Sequence, residues 1–438
     1  MATPVITFNN ATGTDTAASG SASPASVLSG TSASYSGSVF TLDGSPDLSG
    51  VATDGTAVIW VQTSTGRQFF TINAVDDGAD TVTVDDAPAG TTTGLTWGLG
   101  GKRKTVDNTQ SRTLWTDAKY GWTAELEDDQ TITSALTWSA PLLLQSNNDN
   151  IRTLDQSTGN TSICAGTSTV FLRNLKLTSS GTKGTNSAGV YQARFVAENC
   201  ILGDATNTLY NAVYNSSGTM INCEVAHCTN YGIKLTSSAC NLIGCSIHNN
   251  ASIGVYLNSS KVTLFCCDIY DNGSYGFRCR ASDTLSINSC NIHSNDADGI
   301  ACNVVGAAGS TISIVNSNVT DNTGYGVLFQ SGQDVLFRGL IANNNFGTGA
   351  TANSSGRSSD DTILDIVGRN IAVDPQFTDA ANGDFNSTGS NTSQLGYPLG
   401  VYGQGLSESY LDIGNQREPT AAGGGGLLRV NMNGNVFG

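Results

Sequence analysis

A chain of 438 residues is long enough for two or three domains of roughly 150 residues, or for one extended repeat with attachments at its ends. Only 13% of it is charged, about half the usual share of roughly 25%, and glycine reaches 51, which excludes a helical protein and indicates mostly β structure with many turns. Lys plus Arg number 20 against 36 Asp plus Glu, a net charge of −16, and with no basic patch beyond Lys102-Arg103-Lys104 nucleic-acid binding is not expected.

The first residues, Met1-Ala-Thr-Pro-Val-Ile-Thr-Phe8, have neither a positive segment nor an apolar run of signal-peptide length. No apolar stretch reaches the roughly 18 residues of a membrane span, so neither export by the usual route nor membrane insertion is expected. Residues 1–105 carry short strand signals at Val5–Phe8, Ala57–Val61 and Phe69–Ile72. Asp76-Asp-Gly78 stands between Thr71–Ala74 and Thr81–Val84, as in a hairpin. This part reads as a small N-terminal β domain, and Ser111 to Trp122 as a lead-in that covers the open bottom edge of a stack of strands.

Between about 165 and 350 one template recurs: Ile221-Asn-Cys223-Glu-Val225, Ile243-Gly-Cys245-Ser-Ile247, Phe265-Cys-Cys267-Asp-Ile269, Cys290-Asn-Ile292 and Val315-Asn-Ser317-Asn-Val319. Cys200-Ile-Leu202 extends it backward and Phe337-Arg-Gly339-Leu-Ile341 forward. The cysteine position advances by 23, 22, 22 and 23 residues from Cys200 to Cys290, then by 27 to Ser317 and 22 to Gly339. A fixed period containing apolar alternation is the signature of stacked strands, with coils roughly 4.8 Å apart.

Each unit has a further strand, starting at Gly232, Gly254, Gly276, Gly299 and Gly326. Because side chains alternate along a strand, Ile233, Val255, Phe277, Ile300 and Val327 are expected to stack inward, with Leu235, Leu257, Cys279, Cys302 and Phe329 beside them. Lys234, Tyr256, Arg278, Ala301 and Leu328 then face outward. Five residues after the cysteine position come Cys228, Asn250, Asn272, Asn295, Asn322 and Asn344. They read as an internal asparagine ladder at a turn, where Asn tolerates left-handed backbone. In Leu285-Ser-Ile287-Asn-Ser-Cys290 the apolar residue stands one place early, which predicts a one-residue bulge.

At the far end Val373–Phe377 and Ala381–Phe385 look like a closing segment, followed by Tyr410–Gln416, the flexible Gly423–Gly426 and a terminal peptide from Leu427. The expected architecture is all-β: a right-handed parallel β-helix solenoid over 106–377 with a small N-terminal β domain over 1–105 and an irregular C-terminal tail over 378–438.

The eleven cysteines fall mainly at inward positions and are expected to be reduced packing thiols, Cys266 being the most exposed because it and Cys267 cannot both face inward. His248, Tyr270 and His293 share one outward position, but histidines two coils apart cannot share a zinc, so stacking is expected and neither metal nor cofactor. The candidates for catalytic carboxylates are Asp268, Asp271, Asp296 and Asp298, with Asp321 nearby. Glycoside hydrolysis needs two carboxyls roughly 5 to 9.5 Å apart. Asp268 is followed by Asn291 one coil on and Asp271 by Ser294, so solvated turn acids are the competing reading.

The repeat resembles the parallel β-helix of the pectate-lyase-like superfamily, to which many bacteriophage tailspikes and virion proteins belong. The polygalacturonase-like Asp-Asp and Gly-His-Gly pieces and the lyase-like Arg-x-Pro-x-x-Arg are absent. The resemblance and this absence imply a non-enzymatic virion structural protein, a capsid decoration, spike or tail fibre assembled in the host cytoplasm. It would attach to other virion proteins through residues 1–105 and contact a host surface glycan. The alternatives are a tailspike enzyme depolymerising a host surface polysaccharide and a cell-surface adhesin. Outward apolar residues, read as Leu242, Tyr256 and Leu328, would be covered in a homotrimer.

Overall fold

The computed structural model describes residues 5–8, 29–48, 51, 53, 58–84, 88–100, 122–138, 141–146, 150–158, 160–166, 168–184, 187–280, 283–302, 310–329, 337–342 and 344–346, with strand segments 355–357, 366–368, 377–379 and 384–387. The chain divides into two compact units, 1–182 and 183–438.

Within the first unit, six antiparallel strands close a barrel in the spatial order Ser29–Ser36, Val39–Thr41, Thr81–Val84, Gly66–Asp76, Val58–Thr63 and Leu95–Gly100, the last pairing with the first. Phe40, Ile59, Val61, Phe70, Ile72, Val82, Leu95 and Trp97 fill it. Each such side chain contributes roughly 1.5 to 3 kcal/mol on burial. The Trp97 indole N–H donates to Asp43 Oδ1 at 2.5 Å, and the Thr31 and Ser32 amides donate to the same carboxylate at 3.2 and 3.1 Å. These bonds, that of Trp97 first, hold the Asp43 carboxyl below its usual range against the opposing effect of burial. Glycine is required at position 98, where a Cβ would lie 2.4 Å from the Trp60 ring. The expected hairpin is present: Asp76 pairs with Thr81, and Asp76 Oδ1 accepts the Gly78 and Ala79 amides at 3.1 Å each.

Val5–Phe8 lies outside the barrel, pairing in parallel with Trp122–Leu126 at the edge of a second structure. The edge that Ser111 to Trp122 was expected to cover is therefore occupied by the strand from the N-terminal end; residues 111–121 are outside the described residues. Parallel coils start at Trp122, earlier than the recognisable repeat. Trp122–Leu126, Leu142–Ser146 and Thr169–Arg173 form one sheet, and Gln130–Ile132, Arg152–Gln156 and Leu175–Ser179 another, with Leu175 and Leu177 buried.

The second unit continues this pattern through three parallel sheets. The first contains Arg194–Glu198, Ser217–Ile221, Ala239–Ile243, Lys261–Phe265, Thr284–Asn288, Ser310–Val315, Phe337–Ala342 and Ile366–Gly368. The second contains Ile201–Leu202, Glu224–Ala226, Ser246–His248, Asp268–Tyr270, Asn291–His293 and Asn318–Thr320. The third runs through Ala188–Tyr191, Asn211–Tyr214, Ile233–Thr236, Val255–Asn258, Phe277–Cys279, Ile300–Cys302, Tyr325–Phe329 and Ser355–Arg357. Phe377–Asp379 and Asp384–Ser387 form a separate antiparallel pair. Tyr410 onward lies outside the described residues.

Both inward columns of the third sheet are as expected: Ile233, Val255, Phe277, Ile300 and Val327 are fully buried, as are Leu235, Leu257, Cys279 and Cys302. Of the residues expected to face outward, Tyr256 and Ala301 are buried too. All eleven cysteines are free, and ten are buried, with Cys266 half-buried. Burial pushes the Cys266 thiol up to about 12, so it is not an activated nucleophile.

Four of the expected details are overturned, for one physical reason and one insertion. Successive coils turn sharply at single left-handed residues: Asn199, Asn222, Gly244, Cys266, Ser289 and Asn316 between the first and second sheets, with φ between 52° and 61°. Such a residue reverses the side-chain alternation. Hence Ile221, Ile243, Phe265, Asn288 and Val315, two places before the ladder, point outward, while Met220, Leu242, Leu264, Ile287 and Ile314 point inward. Leu242 is thus core rather than surface, and no bulge exists at 285–290, where register is continuous from Lys261↔Thr284 to Phe265↔Asn288. The asparagine ladder is present, but the left-handed residue is the one before each rung: Asn249, Asp271, Ser294 and Asp321. The 27-residue step repeats once more: Val315 pairs with Ala342, and the Ser317 amide donates to Asn344 Oδ1 at 2.9 Å. Asn344 therefore continues the cysteine column in place of Gly339, and Gly339 pairs with Ile312.

Candidate functional site

The sheet that positions most of the candidate residues is the second. Its outer face carries two columns, Glu224, Ser246, Asp268, Asn291 and Asn318, and Ala226, His248, Tyr270, His293 and Thr320. The left-handed turn residues His227, Asn249, Asp271, Ser294 and Asp321 follow immediately.

Rings stack along the second column. His248 lies 4.7 Å from Tyr270 with planes at 13°, Tyr270 lies 5.2 Å from His293 at 6°, and His227 meets His248 edge-on at 6.1 Å. The stacking expected for His248, Tyr270 and His293 is what the structure has. Glu224 Oε1 is 3.2 Å from His248 Nε2, and Asn249 Nδ2 is 3.0 Å from Nδ1. Burial lowers the His227 pKa, with repulsion from His248 adding to it. The His293 pKa falls to about 3 by desolvation, so this imidazole is neutral near pH 7. Ser294 Oγ donates to Asp321 Oδ2 at 3.3 Å and stands 3.0 Å from His293 Nδ1, which makes Nδ1–H the donor to Ser294. The serine proton therefore points at the carboxylate, opposite to the direction that would make His293 its general base.

The four catalytic candidates separate. Asp268 is fully buried and accepts from Asn291 Nδ2 at 2.8 Å; Asn291 Oδ1 accepts from Asn318 Nδ2 at 2.9 Å, and Asn318 Oδ1 from Asn345 Nδ2 at 3.2 Å. This second polar ladder, on the outer face, was missed in the sequence, where its signal is the Asp or Asn directly after the cysteine column. Asp298 is buried and accepts the Tyr325 amide at 2.7 Å; burial raises its pKa and that bond opposes the rise. Asp271, Asp296 and Asp321 are exposed on one turn edge. The Asp271 pKa is raised, chiefly by partial burial and also by Asp296 and Asp321, while His248 pulls it down. The internal ladder runs below them, Asn250 to Asn272 to Asn295 to Asn322, each side-chain bond 2.9 Å.

Two overlapping segments, residues 144–265 and 236–391, match the family model for the right-handed β-helix region. The chain belongs to this right-handed β-helix family. Its fold is similar to the crystal structure of the pectate lyase Pel9A, with a TM-score of 0.51 and 14% identity over 73% of this chain and 92% of that one. The periplasmic alginate epimerase AlgG is a more distant likeness, at a TM-score of 0.31 and 14% identity over 58% of this chain and 76% of that one. The catalytic domain of a GH87 alpha-1,3-glucanase gives 0.40 and 11% over 74% and 83%. No curated protein matches the chain in sequence. The likeness to Pel9A concerns the fold alone.

Proposed function

We propose that this chain is a non-catalytic structural protein of a bacteriophage particle, a β-helical spike, fibre or capsid decoration that adheres to a host surface glycan. The observation that carries the reading is the direction of its polar side chains. Asn250 to Asn322, Asp268 to Asn345 and His248 to His293 each reach to the same position one coil away instead of converging on one point. A catalytic site needs groups of different roles aimed at one reacting atom. Side chains spent on neighbouring coils make a stiff scaffold with a repeating surface, suited to following a repeating polymer. The barrel at residues 29–100 is the attachment module of this proposal. Three chains side by side would cover the outward Ile221, Ile243 and Phe265, the last of which is 40% exposed.

Two measurements test it. Antibody against the chain should label purified particles, and the immobilised chain should capture polysaccharide extracted from the host surface; unlabelled particles or no capture would overturn the proposal. The competing reading is a polysaccharide-cleaving tailspike. Asp271 favours it, its pKa raised by partial burial as a general acid's would be, although His248 opposes the rise.

A further inference from the structure

The third sheet carries a different outer face. One column runs Tyr191, Tyr214, Lys234, Tyr256, Arg278, one residue per coil. Its aromatic and cationic groups are organised on each other. Tyr191 and Tyr214 lie 5.4 Å apart, Lys234 Nζ stands over the Tyr214 and Tyr231 rings at 5.0 and 5.3 Å, and Tyr231 stacks on Tyr256 at 5.3 Å. Arg278 stands over Tyr275 at 5.2 Å, and Arg280 Nη1 donates to the Tyr256 hydroxyl at 3.3 Å.

Among the described residues, none of Lys234, Arg278 and Arg280 has a carboxylate partner. Asp283, near Arg280 in sequence, is buried, its carboxylate taken by the Ser260 and Arg280 amides at 2.8 and 2.7 Å. In a chain of net charge −16, two cations held on tyrosine rings and a third on a tyrosine hydroxyl, along one face, are a local reversal of sign. Held this way they lose little side-chain freedom when a ligand arrives, and partial desolvation strengthens their pull on an anion.

We propose that this column is a binding site for an extended anionic polysaccharide lying along the stack of coils. Lys234 and Arg278 stand two coils apart, roughly 9.6 Å at the usual strand spacing. That pitch suits a polymer whose acid groups recur on alternate sugars. A nucleic acid, with a negative charge about every 1.7 Å of duplex, would meet too few cations here and an acidic chain around them. The tyrosines supply flat apolar edges for the sugar rings. The inference rests on the adhesion reading and deepens it by naming the face and the ligand class.

The test uses the full chain and hyaluronan, which bears one carboxylate per disaccharide, beside the same polymer with its carboxyls reduced to alcohols. The chain should bind hyaluronan at least tenfold more tightly than the reduced polymer, and more weakly as salt rises. The triple variant Lys234→Gln, Arg278→Gln, Arg280→Gln should lose at least tenfold with its circular dichroism and melting unchanged. Arg280→Gln, an exposed single change that cannot disturb the coils, should lose a smaller part. Equal binding of both polymers, an unaffected triple variant, or tighter binding of single-stranded DNA would overturn the inference. If host polysaccharide is captured equally by the triple variant, this site fails while the adhesion reading stands; if neither protein captures it, both fail.

Discussion

The barrel at residues 29–100 and the coils of residues 188–329 are both all-β, yet they solve burial in opposite ways. The barrel has one small core of residues that occur once: Trp97 is locked by Asp43, and Gly98 is shaped to Trp60. In the coils most inward side chains meet a similar one at the same position one coil away, so the core is a set of columns, apolar, thiol and amide. A repeated column tolerates variation in size at any one rung, as Val255, Phe277 and Ile300 demonstrate. It does not tolerate an unpaired charge, because the neutral groups above and below offer it no partner.

The sharpest break in this comparison comes from charge. Cys245→Asp would bury a carboxylate between Cys223 and Cys267 and should destabilise the coils by on the order of 5 kcal/mol, whereas Asn241→Asp, exposed on the outer face between Thr219 and Thr263, should shift stability by less than about 0.5 kcal/mol. Chemical unfolding followed by circular dichroism measures both, and equal shifts would refute the register. For the barrel, Trp97→Ala should cost about 3 to 5 kcal/mol through the cavity and the lost bond to Asp43. Its effect should appear in the tryptophan signal, since all five tryptophans, at 60, 97, 115, 122 and 138, lie in the first unit.

Acid separates the regions by its window. His293 titrates at about 3 when folded and near 6.5 when unfolded, so below 6.5 the unfolded chain binds the extra proton. Stability of the coils should fall as pH drops from 6.5 towards 3, by up to about 1.4 kcal/mol per unit, and His293→Asn should flatten that slope. Asp43 has a folded pKa below its ordinary value, so its contribution to the barrel persists down to the usual carboxylate range and is lost only below it. The smallest expected effect is in the amide ladder. Asn272→Ala removes the acceptor of Asn250 and the donor to Asn295 and should cost about 2 kcal/mol, with a smaller loss when Asn295 is already replaced, since only the bond to Asn250 then remains to be broken.

How much could be read from the sequence divides in the same way. Ile233 to Val327 and Cys200 to Cys290 were legible because a period of about 22 residues and strand alternation specify the same positions twice. The outward Ile221, Ile243 and Phe265 were not, because alternation assumes an unbroken strand and Asn222, Gly244 and Cys266 are left-handed. Asn344 was misplaced by five residues because the Asn rung recurs 22 residues after Asn322 in a coil that spans 27. Among the candidate acids, sequence could not distinguish Asp268, fully buried in a ladder, from Asp271, exposed on the turn, although three residues separate them. Barrel closure was invisible too, since pairing of Ser29–Ser36 with Leu95–Gly100 leaves no periodic trace.

The claim that polar side chains of the coils serve the scaffold and its surface, without converging on a reaction, has one direct test. Polysaccharide from the host surface is held with the chain for a day, and its molar mass is followed by light scattering after size separation. Unchanged mass with retained binding is the expected result. Shortening of the polymer that disappears in Asp271→Asn would contradict the account and assign that turn to catalysis.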